Sequence, residues 1–222
     1  MRKIINICVI AAVLFGVYLT FIYKEPRNGI LMFGDKQALQ DIKNEHNSEI
    51  KSVDLYKVKT TKSDRNSVFI MDQKTAEDVI KKGILRKESK QGFAASDPIQ
   101  SLPKITNGEA VLFTDKKNEN LKKIAFDGKE IPVRYDSNTW FGHDRFSEYD
   151  EFILIVDNST FNQIPSKETY MGIFTLNKVY GKNNGVVDTN DAKQVQTEKE
   201  FMKLTESRMD NVHFIKGLSI LE

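Results

Sequence analysis

The sequence predicts an α+β fold, a single mixed-sheet domain with short strand-Asp-helix units after an N-terminal transmembrane helix. Three observations predict it. An uncharged apolar run, Ile4 to Tyr23, opens the chain. Two apolar segments, Val68-Phe-Ile-Met-Asp72 and Phe152-Ile-Leu-Ile-Val-Asp157, each end in Asp and pass into a stretch with helical spacing. Asp127-Gly128 separates two short strand-like runs.

The N-terminal run is preceded by Arg2 and Lys3 and carries no charge from Ile4 to Tyr23. As a helix its twenty residues rise about 30 Å, the thickness of a bilayer hydrocarbon core. A helix apolar on every side does not belong on the surface of a soluble domain, and Tyr18, Tyr23 and Lys24 suit the interfacial end of a span. A cleaved signal peptide shares the cationic start. It would have a shorter apolar stretch and a small-residue cleavage site, whereas Leu19-Thr20-Phe21-Ile22-Tyr23 is bulky. The sole cysteine, Cys8, follows Ile5-Asn6-Ile7 with most of the apolar run behind it, which does not suit lipidation. Residues 1–23 are therefore expected to be an uncleaved signal-anchor, and the membrane to be a partner through Ile4 to Tyr23. Arg2 and Lys3 are balanced by Lys24 and Arg27, so charge does not set the orientation. A long polar domain behind a signal-like segment is translocated regardless. The expected location is the cell membrane, single-pass, with the domain on the extracytoplasmic side.

Residues 24–28, with Pro26, read as a linker, and residues 29–222 as the extracytoplasmic domain. Gly29 to Phe33 is of strand length, and Asp35 caps a helix with Ala38, Leu39 and Ile42 on one face. Ile50, Val53, Leu55 and Val58 mark a strand. In the two Asp-terminated units a threonine follows the Asp three residues later, and the carboxylate accepts from the first free N–H groups of the helix. Asp97-Pro98-Ile99-Gln100 has the form of another helix start, with Pro at the first helical position and Gln completing a capping box. Ala110 to Phe113 is a buried strand. Asp127-Gly128 predicts a hairpin, and Pro132 places its second strand at a sheet edge. Met171 to Val179 reads as a strand, Asn183-Asn184-Gly185 as a turn, and Asp191 to Met209 as the longest helix, with a stripe of Val195, Phe201, Met202 and Met209. Val212 to Ile215 and Leu218 to Leu221 close the chain as an edge strand.

The formal charge of +2 comes from the anchor. Setting aside Arg2, Lys3, Lys24, Arg27 and Glu25 leaves 29 of the 33 basic and 30 of the 31 acidic residues, a net of −1 for the domain. A balanced domain has no electrostatic reason to follow a phosphate backbone, so nucleic acid is not an expected partner. His46, His143 and His213 stand apart and the domain holds no cysteine, so no zinc spacing exists and no metal or other cofactor is expected. Phosphate loops, nucleophile elbows and His-Glu-x-x-His helices are absent from the sequence. Asp136-Ser-Asn138 begins like a calcium loop, but Trp140 stands where an oxygen ligand belongs and Phe141 where glycine is required. No enzymatic activity is expected.

Tyr135 to Glu151 departs most from what a fold needs. It gathers Trp140, the only tryptophan, with His143, Arg145 and Tyr149. Aromatic rings beside Arg anchor interfaces, which makes these four residues the candidate binding site. The competing reading folds the rings back onto the core.

Phe152-Ile-Leu-Ile-Val-Asp-Asn-Ser-Thr-Phe-Asn-Gln-Ile164, Gly108-Glu-Ala-Val-Leu-Phe113 and the hairpin Ile124 to Val133 resemble the extracytoplasmic domains of FtsX/MacB-type ABC permeases. The whole chain, through Asn28-Gly-Ile-Leu-Met-Phe-Gly34, Met71-Asp-Gln-Lys-Thr-Ala76 and Asn138-Thr-Trp140, resembles an uncharacterised lipoprotein family of Gram-positive bacilli. The resemblance implies an α+β ectodomain in the cell envelope and supplies no catalytic residues. The function expected is a non-catalytic membrane-anchored interaction domain, accessory to a transporter or sensor and with an envelope protein as partner. The alternative is an extracytoplasmic small-ligand-binding protein.

Overall fold

The computed structural model describes residues 26–89, 96–106, 108–126, 128–142, 145, 150–177, 192, 195–196, 199 and 212–221. In chain order these form β1 (Pro26–Gly34), α1 (Lys36–Glu45), β2 (Ile50–Ser63), β3 (Asn66–Asp72), α2 (Gln73–Lys81), β4 (Leu85–Glu88), β5 (Ser96–Pro98), β6 (Ala110–Thr114), a 3-10 turn (Lys116–Asn118), β7 (Lys123–Phe126), β8 (Lys129–Ser137), β9 (Thr139–Phe141), β10 (Phe152–Val156), α3 (Asn158–Gln163), β11 (Lys167–Leu176) and β12 (Val212–Leu221). The predicted anchor and the turn at Asn183 lie outside the described residues. Of the long helix only Ala192, Val195, Gln196 and Lys199 are described, all helical. Among the described residues no helix is long and apolar enough to cross a membrane.

A nine-stranded mixed sheet runs β12-β1-β11-β2-β3-β10-β6-β8-β7, and a three-stranded sheet, β5-β4-β9, lies apart from it. Alternation along the strands divides the core. Phe69 and Met71 of β3, with Ile153 and Ile155 of β10, face one side, where Ala76, Val79 and Ile80 of α2 and Leu85 and Phe141 of the small sheet cover them. Val68, Ile70, Phe152, Leu154 and Val156 face the other side and pack on Phe161 of α3 and the inward residues of β6, β7 and β8. Farther along that side α1 buries Ala38, Leu39 and Ile42 against Ile30, Met32 and Phe174. Phe33 and Phe141 both meet Phe69 edge-on, at centroid distances of 4.8 and 5.1 Å, which locks the small sheet to the large one. Such a pair contributes about 0.5–1.5 kcal/mol beyond its burial. At the sheet's end β7 curls back against β2 and closes over the second cluster.

The mixed α+β class and the three Asp caps agree with the sequence. Asp35 accepts from the N–H groups of Gln37 and Ala38, Asp72 from Thr75, and Asp157 from Thr160. The hairpin holds too: Phe126 pairs with Lys129, and Gly128 has φ +73°, the left-handed geometry that such a turn needs. β12 is an edge strand, as predicted.

Three local expectations need correction. Pro26 to Asn28, assigned to the linker, are already strand, because Pro26 pairs with Leu221 and Asn28 with Ser219. Asp97-Pro98 starts no helix. Both belong to β5, where Lys87 and Arg86 are their partners across the ladder, and the N–H of Ile99 continues that pairing with the carbonyl of Leu85 at 3.0 Å. The strand carrying Pro132 is not an edge, since β8 lies between β6 and β7. Proline is tolerated there because β6 begins to pair only at Val133. The Val133 N–H bonds Lys122 at 2.9 Å, so the nitrogen of Pro132, one residue earlier, faces away from β7, where no strand needs a donor.

Gly29 sits where β1 is pressed between β11 and β12. A Cβ there would lie 2.1 Å from Cδ1 of Ile220 and 2.6 Å from the carbonyl oxygen of Phe174. The Ile220 tip can rotate away, but the carbonyl is fixed in the sheet. Gly29→Val is expected to lower stability by about 1–3 kcal/mol through overpacking, read by thermal unfolding. An unchanged midpoint would show that the two strands separate without cost.

Candidate functional site

The Tyr135 to Glu151 segment is strand for much of its described length. Tyr135 to Ser137 end β8, and Thr139 to Phe141 form β9, paired with β4 so that Trp140 stands opposite Arg86. Trp140 is 7% exposed, which matches a packed ring and not an exposed interface anchor. Nothing in the neighbouring residues reveals that the Trp140 ring is covered. Among the described residues the buried indole Nε1 has no hydrogen-bond partner, a state that costs roughly 1–3 kcal/mol. Across from it Arg86 is half-buried and donates to Oγ of Ser96 at 3.0 Å and to the carbonyl of Ser96. Burial holds its pKa below the ordinary guanidinium value, partly offset by Asp97.

Arg145 fastens the segment to its surroundings. Its guanidinium donates to Oδ1 of Asn138 and to the carbonyl of Asp150 at 2.8 Å, and lies 3.8 Å from the carboxylate of Asp115. Asp150, fully buried, accepts the N–H of Phe141 at 2.9 Å. Arg145 and Asp150 thus tie the return of the chain to the small sheet. His143 and Tyr149 lie outside the described residues, so of the four predicted site residues the structure places Trp140 and Arg145, both in structural roles.

The topology singles out a different place. β3 and β10 are parallel neighbours in register, Val156 opposite Asp72, and both pass through an Asp cap into a helix. α2 packs on one face of the sheet and α3 on the other. In open sheets, the place where helices leave adjacent parallel strands toward opposite faces is where a binding crevice forms at the strand ends. Gln73, Lys74, Asn158 and Ser159, in the first turns of α2 and α3, are exposed. The sequence showed both units but could not show that they are neighbours.

The two aspartates at those strand ends serve the helices. Oδ1 of Asp72 accepts from the Thr75 N–H at 2.7 Å. Asp157 accepts from the hydroxyls of Ser159 and Thr160 at 2.5 and 2.7 Å and from the Thr160 N–H at 2.9 Å. The Ser159 hydroxyl, then the Thr160 N–H, hold the Asp157 carboxyl well below the usual carboxylate range. A lowered folded pKa gives stability that is complete above the ordinary value and is lost as the pH falls below it. Asp157→Asn keeps a capping oxygen and loses the charge at the helix N-terminus, so it should cost about 0.3–1 kcal/mol near neutral pH. That deficit should shrink as melts are taken from about pH 5 toward pH 2, and a constant deficit would assign the effect to packing.

Sequence reasoning missed Lys59, which is 3% exposed. From β2 its Nζ donates to the carbonyls of Phe161 and Ile164 at 2.8 and 2.6 Å and lies 4.9 Å from the Phe161 ring centroid. The partly exposed Glu168 carboxylate is 3.9 Å away. A cation is favourable at a helix C-terminus, where unpaired carbonyls collect. Alternation along β2 puts Lys59 on the face of the second cluster, but nothing in its neighbours distinguishes it from the exposed Lys57. Among the described residues no group of three or more His, Cys, Asp or Glu could hold a metal ion.

Residues 27–216 match a family described as an uncharacterised lipoprotein family. The crystal structure of a "Putative Lipoprotein from Bacillus anthracis" aligns with a TM-score of 0.61 at 23% sequence identity, over 85% of this chain and 98% of that one. At that identity the likeness is one of fold. The search of curated proteins gives no match.

Proposed function

The chain belongs to this uncharacterised lipoprotein family, and from that premise we propose that it is a non-catalytic, membrane-tethered interaction domain of the bacterial cell envelope. It is held on the extracytoplasmic side and is accessory to a transporter or sensor. The observation that carries this reading is the use to which the site's polar side chains are put. Asp72, Asp157, Lys59, Arg145 and Asp150 direct donors and acceptors at backbone groups of the same domain. Groups committed in this way build a rigid surface and are poorly placed to move protons or attack a substrate. The resemblance to FtsX/MacB-type permease ectodomains read from the sequence of Phe152 to Ile164, Gly108 to Phe113 and the hairpin Ile124 to Val133 is what suggests a transporter as the partner.

The tether is the run Ile4 to Tyr23, with Cys8, the only cysteine, as the alternative point of lipid attachment. Intact mass of the full-length protein extracted from membranes decides between them. An unmodified N-terminus is expected. Loss of the first seven residues with a diacylglyceryl group on Cys8 would replace the helix by a lipid, and release after Tyr23 would overturn tethering. Partner binding is tested by photo-crosslinking in cells from exposed positions, followed by mass spectrometry. Reproducible crosslinks to an integral envelope protein are expected, and their absence from every position would overturn the interaction reading.

The departure of α2 and α3 from adjacent parallel strands toward opposite faces favours a second reading, a small-ligand-binding protein with its site at those strand ends. Under it, an envelope metabolite would raise the melting temperature, and Lys74→Glu would abolish the rise. The interaction reading expects no such shift.

A further inference from the structure

The predicted anchor stops two residues short of the sheet. Tyr23 ends the apolar run, and Pro26 is already in β1, opposite Leu221 of β12. From Tyr23 to Pro26 the chain makes three Cα–Cα steps, a reach of at most about 11 Å. A tether that short leaves the domain little freedom to tumble, so the end of the sheet holding Pro26 must lie at the headgroups.

The ladder shows which surface that is. β1 enters at Pro26, β11 leaves at Leu176 and β2 begins at Ile50, with Leu176 opposite Ile50 and Gly29 opposite Thr175. The α1-β2 turn is bound to the same end, because the N–H of Asn177 donates to the carbonyl of Glu49 and its side-chain amide to that of Ser48, both at 2.8 Å. Two strand spacings of ~4.8 Å separate β1 from β2, so this turn lies within roughly 10 Å of the tether's exit. The turn from β2 to β3, at Asp64 and Arg65, stands at the other end, roughly 43 Å farther along β2 at ~3.3 Å per residue.

We propose that the surface formed by the α1-β2 turn, Asn177 and the ends of β1 and β12 is the domain's docking face for a lipid bilayer, and that the β2-β3 turn points away from it. Asn47, Ser48, Glu49, Lys51 and Asn177 are exposed on this face with both signs of charge. It therefore meets the headgroups because the tether holds it there, without requiring an anionic lipid. This orientation rests on the anchored reading above.

The test uses the full-length chain with Cys8→Ala, carrying either Asn47→Cys or Arg65→Cys labelled with a fluorophore. Each is reconstituted into phosphatidylethanolamine and phosphatidylglycerol vesicles containing a headgroup-spin-labelled lipid. Quenching is expected to be several-fold stronger at residue 47 than at residue 65. Equal quenching, or the reverse order, in protein that sediments with the vesicles would overturn the orientation. Failure of the labelled proteins to sediment with the vesicles would overturn the helix anchor itself, and the docking face with it.

Discussion

Trp140→Ala is expected to destabilise the protein by about 3–5 kcal/mol, the range for truncating a large buried aromatic side chain. For a domain of this size each kcal/mol lowers the melting temperature by roughly 2–4 °C, so the midpoint should fall by roughly 10 °C. The two readings of the Tyr135 to Glu151 segment separate here by an order of magnitude, because an exposed anchor would lose no more than about 0.5 kcal/mol. Trp140→Phe refines the test. The phenyl ring fills much of the same space and removes the buried N–H that has no partner, so the cavity loss and the relieved donor offset each other to within about 1 kcal/mol. As Trp140 is the only tryptophan, wild-type emission should be blue-shifted and move to the red on unfolding. A fully red-shifted native spectrum, or an alanine variant that melts with the wild type, would restore the exposed loop.

The parts of this fold that were legible in the sequence are those governed by spacing within a few residues. Asp35, Asp72 and Asp157 were readable as caps because the acceptor and the N–H groups it serves are two or three positions apart. Asp127-Gly128 was readable because the turn alone demands a left-handed residue. The errors fall where a distant partner decides. Asp97-Pro98 has the local form of a helix start, yet pairing with β4 makes it strand. Pro132 suggested an edge because the end of β6 on its open side is not encoded nearby. The parallel pairing of β3 and β10, which brings the starts of α2 and α3 side by side, joins segments some eighty residues apart. For Trp140, alternation assigned a face but could not say that the face is covered.

Lys59 is the clearest case of a residue whose role exists only in three dimensions, and its removal should have the other large effect. Its two bonds link β2 to residues more than a hundred positions away. Lys59→Ala removes the ammonium that holds the end of α3, leaving the Ile164 carbonyl without that donor and the Phe161 carbonyl with the Ile164 N–H at 3.3 Å. A hydrogen bond to a charged group contributes about 1.5–3 kcal/mol, and a buried acceptor left unpaired costs about 1–3 kcal/mol. Water reaching the vacated space would recover part of this, so the expected loss is roughly 3–4 kcal/mol. Lys59→Met separates the contributions, since it keeps most of the aliphatic stem and removes only the ammonium. If the hydrogen bonds carry the effect, Met should be nearly as destabilising as Ala. If the stem does, Met should remain within about 0.5 kcal/mol of wild type. Hydrogen exchange locates the damage: α3 has a single turn and a half and buries only Phe161 within its span. Losing its C-terminal cation should therefore raise exchange at Phe161 and Ile164 well before the β3 and β10 amides respond. Uniform acceleration across the sheet would mean that Lys59 supports global stability and has no particular hold on α3.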